Sequence, residues 1–236
     1  MWFAVLIVAV VGLAHTAPFP FLLESFRPAG SIWHVKQPAG APPTLYLTFD
    51  DGPNPYWTPP LLDALDETGV RATFFLIDEH ITSETAAIVR RISDERHAIG
   101  IHTRTRLPMI LPPDELVKTL DGAAAHIAGI TGREPCRLFR PHAGWRSETM
   151  YEGLAKAGYR LAGWSWGMWD WNWWQRPDAD RVAARLAQNA SAGDVIVIHD
   201  GHHVNPRADR RHAAETVRRL VPSLRSRGFA FDTLCH

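Results

Sequence analysis

The stretch Leu45-Tyr46-Leu47-Thr48-Phe49-Asp50-Asp51-Gly52-Pro53 decides how the rest of the chain is read. Leu45–Phe49 is a short apolar run of strand length. Two carboxylates and a Gly-Pro turn follow it at once. A buried strand that ends in charge places that charge at the end of a sheet. Working outward, Thr58–Gly69 reads as a helix stopped by glycine, and Ala72–Ile77 as a second strand. Ser83–Asp94 reads as a helix with Ser83 as its N-cap. Strands are expected at Ala98–Ile101, Arg137–Arg140, Tyr159–Trp164, Val195–Ile198 and Phe229–Phe231. Helices are expected at Pro112–Gly129, Glu148–Ala157, Ala179–Ala190 and Arg211–Arg227. Such βα alternation implies a parallel sheet with helices outside. Polar residues collect at the strand ends: Asp50 and Asp51, His102, Arg140, Asp170 and His199. In a parallel barrel these positions converge on one face, and a doubly wound sheet would also gather them near one edge. That convergence is the main residue-level sign of an enzyme.

The ends of the chain and its composition limit the setting. Residues 1–23 read as a signal peptide or membrane anchor, because Trp2–Leu23 holds no Asp, Glu, Lys or Arg and Trp2–Ala14 is almost purely apolar. Residues 24–43, with RPAG at 27–30 and KQPAGAPP after it, read as a linker, and 44–236 as one catalytic domain. An exported, periplasmic, extracellular or membrane-anchored protein is expected. The 25 basic and 25 acidic residues cancel, so there is no basic footprint for a nucleic acid. Cys136 and Cys235 form no CxxC pair, which excludes a cysteine-type structural zinc site. They could form one disulfide in an exported chain or remain two separate thiols. Ten tryptophans suit either sugar stacking or core packing.

Adjacent carboxylates diverge, so one of Asp50 and Asp51 can bind a metal while the other remains a base; a capped turn is the plainer alternative. Placed within TFDDGP at 48–53, however, they resemble the first motif of the polysaccharide deacetylases, the NodB homology domain of carbohydrate esterases. The resemblance spans about Leu45 to Phe231. It implies a distorted (β/α)7-type barrel, with Asp50 as catalytic base and Asp51 as metal ligand. His102-Thr103-Arg104-Thr105-Arg106 resembles the family's H-[ST]-x-x-H, with His102 as a ligand and Arg106 where the second histidine belongs. Two histidines at i and i+4 of a helical turn would share one face and grip one ion. Arginine stays protonated and cannot ligate. On this reading the family's Asp-His-His triad is reduced to Asp51 and His102, and Arg106 adds charge on the same face.

Phe139-Arg140-Pro141-His142-Ala143-Gly144-Trp145 resembles R-P-P-Y-G. The resemblance implies that Arg140 holds Asp50 and that the Ala143 N–H stabilises an oxyanion. His142 departs from the pattern, as a metal ligand, an acid or simply a solvent-facing loop residue. Gly167-Met168-Trp169-Asp170-Trp171 resembles D-x-x-D-W without its first Asp. There Asp170 would orient Arg140, and Trp171 would wall the pocket. Trp164, Trp166, Trp173 and Trp174 are read as sugar platform or core. Val195–His199 resembles the last motif, in which His199 is the general acid. His202 and His203 follow as ligands or as a polar loop.

The expected function is therefore hydrolytic removal of N- or O-acetyl groups from a glycan of the chitin-oligomer or peptidoglycan type, with a divalent metal, zinc by resemblance. One rival is a metal-independent deacylase in which Arg106 supplies the positive charge. The other is an inactive glycan-binding barrel. Retention of Asp50, Asp51, His102, Arg140, Asp170 and His199 together counts against the latter.

Overall fold

The computed structural model describes residues 3–6, 31–167, 169–170 and 177–235. Most of the expected N-terminal segment, together with Trp171, Trp173 and Trp174, lies outside the described residues. Among the described residues, no helix is long and apolar enough to cross a membrane.

The strands are β1 (Ser31–Ile32), β2 (Thr44–Asp50), β3 (Thr73–Ile77), β4 (Ala98–His102) and β5 (Leu138–Arg140). They continue with β6 (Arg160–Ala162), β7 (Trp166–Gly167), β8 (Val195–His199) and β9 (Ala230–Phe231). The helices between them are α1 (Thr58–Thr68), α2 (Ala86–Asp94), α3 (Pro113–Thr131), α4 (Glu148–Ala157), α5 (Ala179–Asn189) and α6 (Arg211–Arg225). The sheet order is β1-β6-β5-β4-β3-β2-β8-β7, with β9 paired to β2, and these strand pairs are parallel. β6 and β7 are separated only by Gly163–Ser165, and Ser165 N donates to Val195 O at 2.7 Å. The sheet that leaves β5 at β6 thus meets β8 again at β7. This curls it into the distorted barrel that the alternation and the resemblance imply.

β2, β3, β4, β5 and β8 are buried on both faces, which explains their largely apolar runs. Leu47, Phe49, Phe74, Phe75, Phe139, Ile196 and Ile198 form the centre of the core. Each such side chain contributes about 1.5–3 kcal/mol on burial. Outside, α6 turns Ala213, Ala214, Val217, Leu220, Val221 and Leu224 inward, the 3–4 spacing of an amphipathic helix.

Three expectations change. The linker reading of 24–43 does not hold from Ser31 onward: Ser31–Ile32 pair with Leu161–Ala162, and Trp33 is buried. Trp33 lies so close over Gly163 that a Cβ there would meet its ring at 2.0 Å. A Pro/Gly-rich composition hid a strand only two residues long. Ser83 does not cap α2. A separate turn runs through 82–85, in which Thr85 Oγ1 accepts from Thr82 N at 2.8 Å and donates to His80 O at 2.7 Å. Cys136 and Cys235 are joined as a disulfide, which ties the approach to β5 to the C-terminus across 99 positions. Closing a loop of that size stabilises by about 2–5 kcal/mol, largely through the unfolded chain in the entropic account.

Candidate active site

Parallel register brings the strand ends together. Asp50 is the register partner of His199 across β2 and β8, and His102 is the partner of Arg140 across β4 and β5. The period of two places Thr48 and Asp50 on the same side of β2. Arg140, fully buried, reaches both: Nη1 donates to Asp50 Oδ1 at 2.6 Å and to Thr48 Oγ1 at 2.8 Å. Its other nitrogens donate to Ala162 O at 3.2 Å and Gly163 O at 2.7 Å, and the guanidinium lies 4.0 Å from the Phe75 ring centre. A buried charge is tolerated when it is paired and every donor has a partner. The result is a rigidly held Asp50 carboxylate.

Asp170 does not hold Arg140, as the resemblance implied. It serves His199 instead, accepting from His199 N at 2.6 Å and facing His199 Nδ1 at 3.1 Å. His212 Nε2, from α6, lies 3.3 Å from the same carboxylate. Strand β5 projects Arg140 towards β2 and β6, where backbone carbonyls fill its remaining donors, leaving Asp170 to the β8 end. Burial works against charge on Asp170, but His199 and His212 outweigh it and hold its carboxyl well below the usual carboxylate range. Burial likewise opposes the imidazolium of His199. Asp170, with Asp51 and Asp50 beyond it, outweighs burial and raises His199 above an ordinary imidazole. The hydrogen-bonded Nδ1 faces Asp170, which leaves Nε2 as the working nitrogen.

Asp51 departs from Asp50 through its backbone. Its φ is 70°, a left-handed conformation uncommon for a residue with a side chain, so the two carboxylates diverge. Its carbonyl faces His80 Nδ1 at 3.1 Å. Gly201 packs so near that a Cβ there would lie 1.9 Å from Asp51 O. His102 Nδ1 donates to Arg140 O at 2.6 Å, which turns Nε2 to within 3.2 Å of Asp51 Oδ1. Burial opposes charge on Asp51, but His102, His199 and His203 around it depress its pKa well below the usual carboxylate range.

The third member of this group is His142. Ligand atoms of Asp51, His102 and His142 all lie within 4.8 Å of one another. His142 Nδ1 is buried with no hydrogen-bond partner among the described residues, and Asp51 Oδ1 has none beyond the approach of His102 Nε2 at 3.2 Å. Burial, and after it the charges of His102 and His203, lower His142 to about 4, so it is a neutral imidazole at physiological pH. Two neutral-capable imidazoles and a carboxylate with orphaned atoms facing one point match the donor set of a three-ligand catalytic metal centre. Where the sequence offered Asp51 and His102, the structure adds half-buried His142 as a third candidate ligand.

Arg106 is not beside the ligands on a helical turn. Residues 104–106 form bends, and the exposed guanidinium lies 5.0 Å from the Trp145 ring centre. Arg106, Ala143, Trp164 and His203 line, with the acidic and imidazole groups, one cavity of about 220 Å³. Ala143 has a φ of 52° there. Trp164 is buried against Trp33, so it is both core and cavity wall rather than an open sugar platform. His203 meets His142 edge to face at 4.5 Å and stacks on His202 at 4.7 Å.

Several participants went unread in the sequence. Thr48 carried a signal, its period-two relation to Asp50. Asp200, fully buried beside His199, accepts from Thr58 Oγ1, and burial raises it to about 7. Its charge next to a strand-end histidine was a usable cue. His80 and His212 were single polar residues amid helix or loop and carried no local signal.

A family model described as polysaccharide deacetylase matches residues 37–162. A peptidoglycan-N-acetylglucosamine deacetylase of Bacillus cereus is 32% identical over 216 residues, 90% of this chain and 95% of that protein. A chitooligosaccharide deacetylase of Bradyrhizobium sp. is 30% identical over 202 residues, 81% of this chain and 89% of that one. Among solved structures, a family 4 acetyl xylan esterase from Clostridium thermocellum, in complex with a cobalt ion, is 30% identical. It superposes with a TM-score of 0.70 over 81% of this chain and 88% of its own.

Proposed function

The chain belongs to the polysaccharide deacetylase family, and on that premise we propose that it hydrolyses N- or O-acetyl groups on a glycan of the chitin-oligomer or peptidoglycan type. The observation that carries this reading is the meeting, in one cavity, of the Asp50–Arg140 pair, the His199–Asp170 pair and the Asp51, His102 and His142 cluster. Both named relatives are glycan deacetylases, and the esterase has a metal in its complex.

Asp51, His102 and His142 would hold a divalent ion, and imidazole with carboxylate suits zinc. Such an ion supplies Lewis-acid polarisation of the acetyl carbonyl and acidifies water. Asp50, fixed by Arg140, accepts the proton of the attacking water. The Ala143 N–H donates to the oxygen that gains charge at the acetyl carbon. His199, protonated and oriented by Asp170, delivers a proton to the departing amine or alcohol. The metal-independent alternative needs Arg106 in place of the ion; the position of Arg106 over Trp145, with Asp51, His102 and His142 grouped apart from it, favours the metal-dependent reading. We place the protein outside the cytoplasm, free or anchored. The apolar run at 2–14 and the Cys136–Cys235 disulfide both support export.

Acetate release from a chitin oligomer and from peptidoglycan glycan strands, by protein first stripped of metal and then reconstituted with zinc, tests the proposal. Zinc-dependent release supports it. No release from either substrate with any divalent ion overturns it.

A further inference from the structure

Arg106 lines the catalytic cavity, exposed, with a charge that no acid among the described residues answers. Some exposed arginines of the chain have acids, as Arg207 reaches Glu84 at 2.6 Å and Arg218 reaches Glu67 at 2.6 Å, but those lie away from the cavity, and Arg106 is the exposed arginine that lines it. No carboxylate among the described residues pairs with Arg106. Its loop, Thr103–Pro112, contains Arg104 and Arg106 and no acidic residue. The acids on the cavity floor are committed elsewhere, Asp50 to Arg140 and Asp51 to the group with His102 and His142. The guanidinium carbon of Arg106 lies over the Trp145 ring, 5.0 Å from its centre, and its N–H groups have no hydrogen-bond partner among the described residues. A guanidinium so left can meet a carboxylate with two parallel hydrogen bonds. Leu107 and Ile110, on the same loop, are large apolar side chains left exposed, 54% and 77%, beside it. A loop with an open guanidinium fork and apolar neighbours suits a sugar that carries both a ring face and an anionic substituent.

We propose that Arg106 is a specificity residue that binds a carboxylate on the sugar next to the acetylated one, so that the substrate class is an acidic acetylated glycan rather than a neutral one. The inference rests on the deacetylase reading and narrows it. A neutral oligomer would enter past an uncompensated cation, whereas an acidic one would supply its partner. The contribution is to substrate capture and is read mainly in KM.

The test compares two probes that differ only in charge: a tetrasaccharide of alternating N-acetylglucosamine and N-acetylmuramic acid freed of peptide, and the same molecule with its lactyl carboxylates converted to carboxamides. Parent, Arg106→Gln and Arg106→Lys, all zinc-loaded, are assayed for kcat and KM. A charged hydrogen-bonded pair implies a preference of about 10–100-fold for the acid form in the parent. Arg106→Gln should lose most of that ratio, Arg106→Lys should keep part of it, and added salt should shrink it in the parent. An equal ratio in parent and Arg106→Gln overturns the inference, as does a fall in kcat alone on both probes. A parent that releases acetate from a neutral chitin oligomer but from neither probe overturns the inference and leaves the deacetylase reading standing, whereas no release from the chitin oligomer or from either probe sinks the deacetylase reading. The inference is then read by calorimetric binding of the two probes, where equal affinities overturn it.

Discussion

Asp50, Arg140 and His199 end three strands of one sheet, whereas His142 and Arg106 stand on the loops that follow β5 and β4. The two halves of the cavity solve the same positioning problem by different means. In the acid–base half, register sets the geometry: neighbouring strand ends bring Asp50 beside His199, and Arg140 is locked by four acceptors. In the metal half, Asp51 depends on a left-handed backbone, and His142 begins a short 3₁₀ turn. Strand ends tolerate little change, because a shift of one residue reverses every side chain. Loops leave more freedom in where an imidazole is placed, and here the imidazole grouped with Asp51 and His102 is that of His142, while position 106 holds an arginine.

The largest effect should come from the rigid half. Asp50→Asn is expected to lower turnover by about 10²–10⁴-fold, the range for losing a general base. The amide can still accept from Arg140, so circular dichroism should show a folded protein. A variant that retains most of the parent rate would remove Asp50 from the mechanism.

The other half should fail in binding before it fails in chemistry. His142→Ala is expected to weaken zinc binding by at least about 100-fold. Loss of an outer-sphere partner alone costs 10–100-fold, and a direct ligand costs no less. Calorimetric titration of metal-free protein reads this without any substrate. Unchanged affinity would return His142 to the role of a loop residue.

Asp170→Asn sharpens the comparison through pH. His199 is raised in the folded protein, so its interaction with Asp170 is complete below the free imidazole value of about 6.5 and is lost as pH rises through the folded value. Removing the carboxylate charge should lower the His199 pKa and move the alkaline limb of the kcat profile to lower pH. An unmoved limb would show that another group is the acid.

The smallest effect is expected at the position whose identity departs most from the family pattern. Arg106→His should change zinc affinity by less than about tenfold if, as proposed, Asp51, His102 and His142 already supply three protein ligands. A much larger rise would mean that His142 does not ligate and that the site waits for a residue at 106.

The strand-end residues were legible early because their signal is local: an apolar run followed at once by Asp50, His102, Arg140 or His199. The partner of Asp170 was misassigned for the opposite reason. Nothing in the order of residues says whether a buried carboxylate turns to Arg140 or to His199, since both stand within one layer of strand ends. His212 was invisible because its meeting with Asp170 spans 42 positions and depends on how α6 lies against the barrel. Ser31–Trp33 was hidden by Pro/Gly-rich surroundings, although its burial against Gly163 helps to close the sheet.

By itself the sequence determined the βα alternation, the positions of the strand-end acids and bases, and the family to which the chain belongs, because hydrophobic periodicity and short motifs are local properties of the chain. Only the tertiary structure decided that His142 lies with Asp51 and His102, that Arg106 lies over Trp145, and that Asp170 meets His199. Those choices depend on distances between loops that meet only when the sheet curls, and no spacing along the chain encodes them.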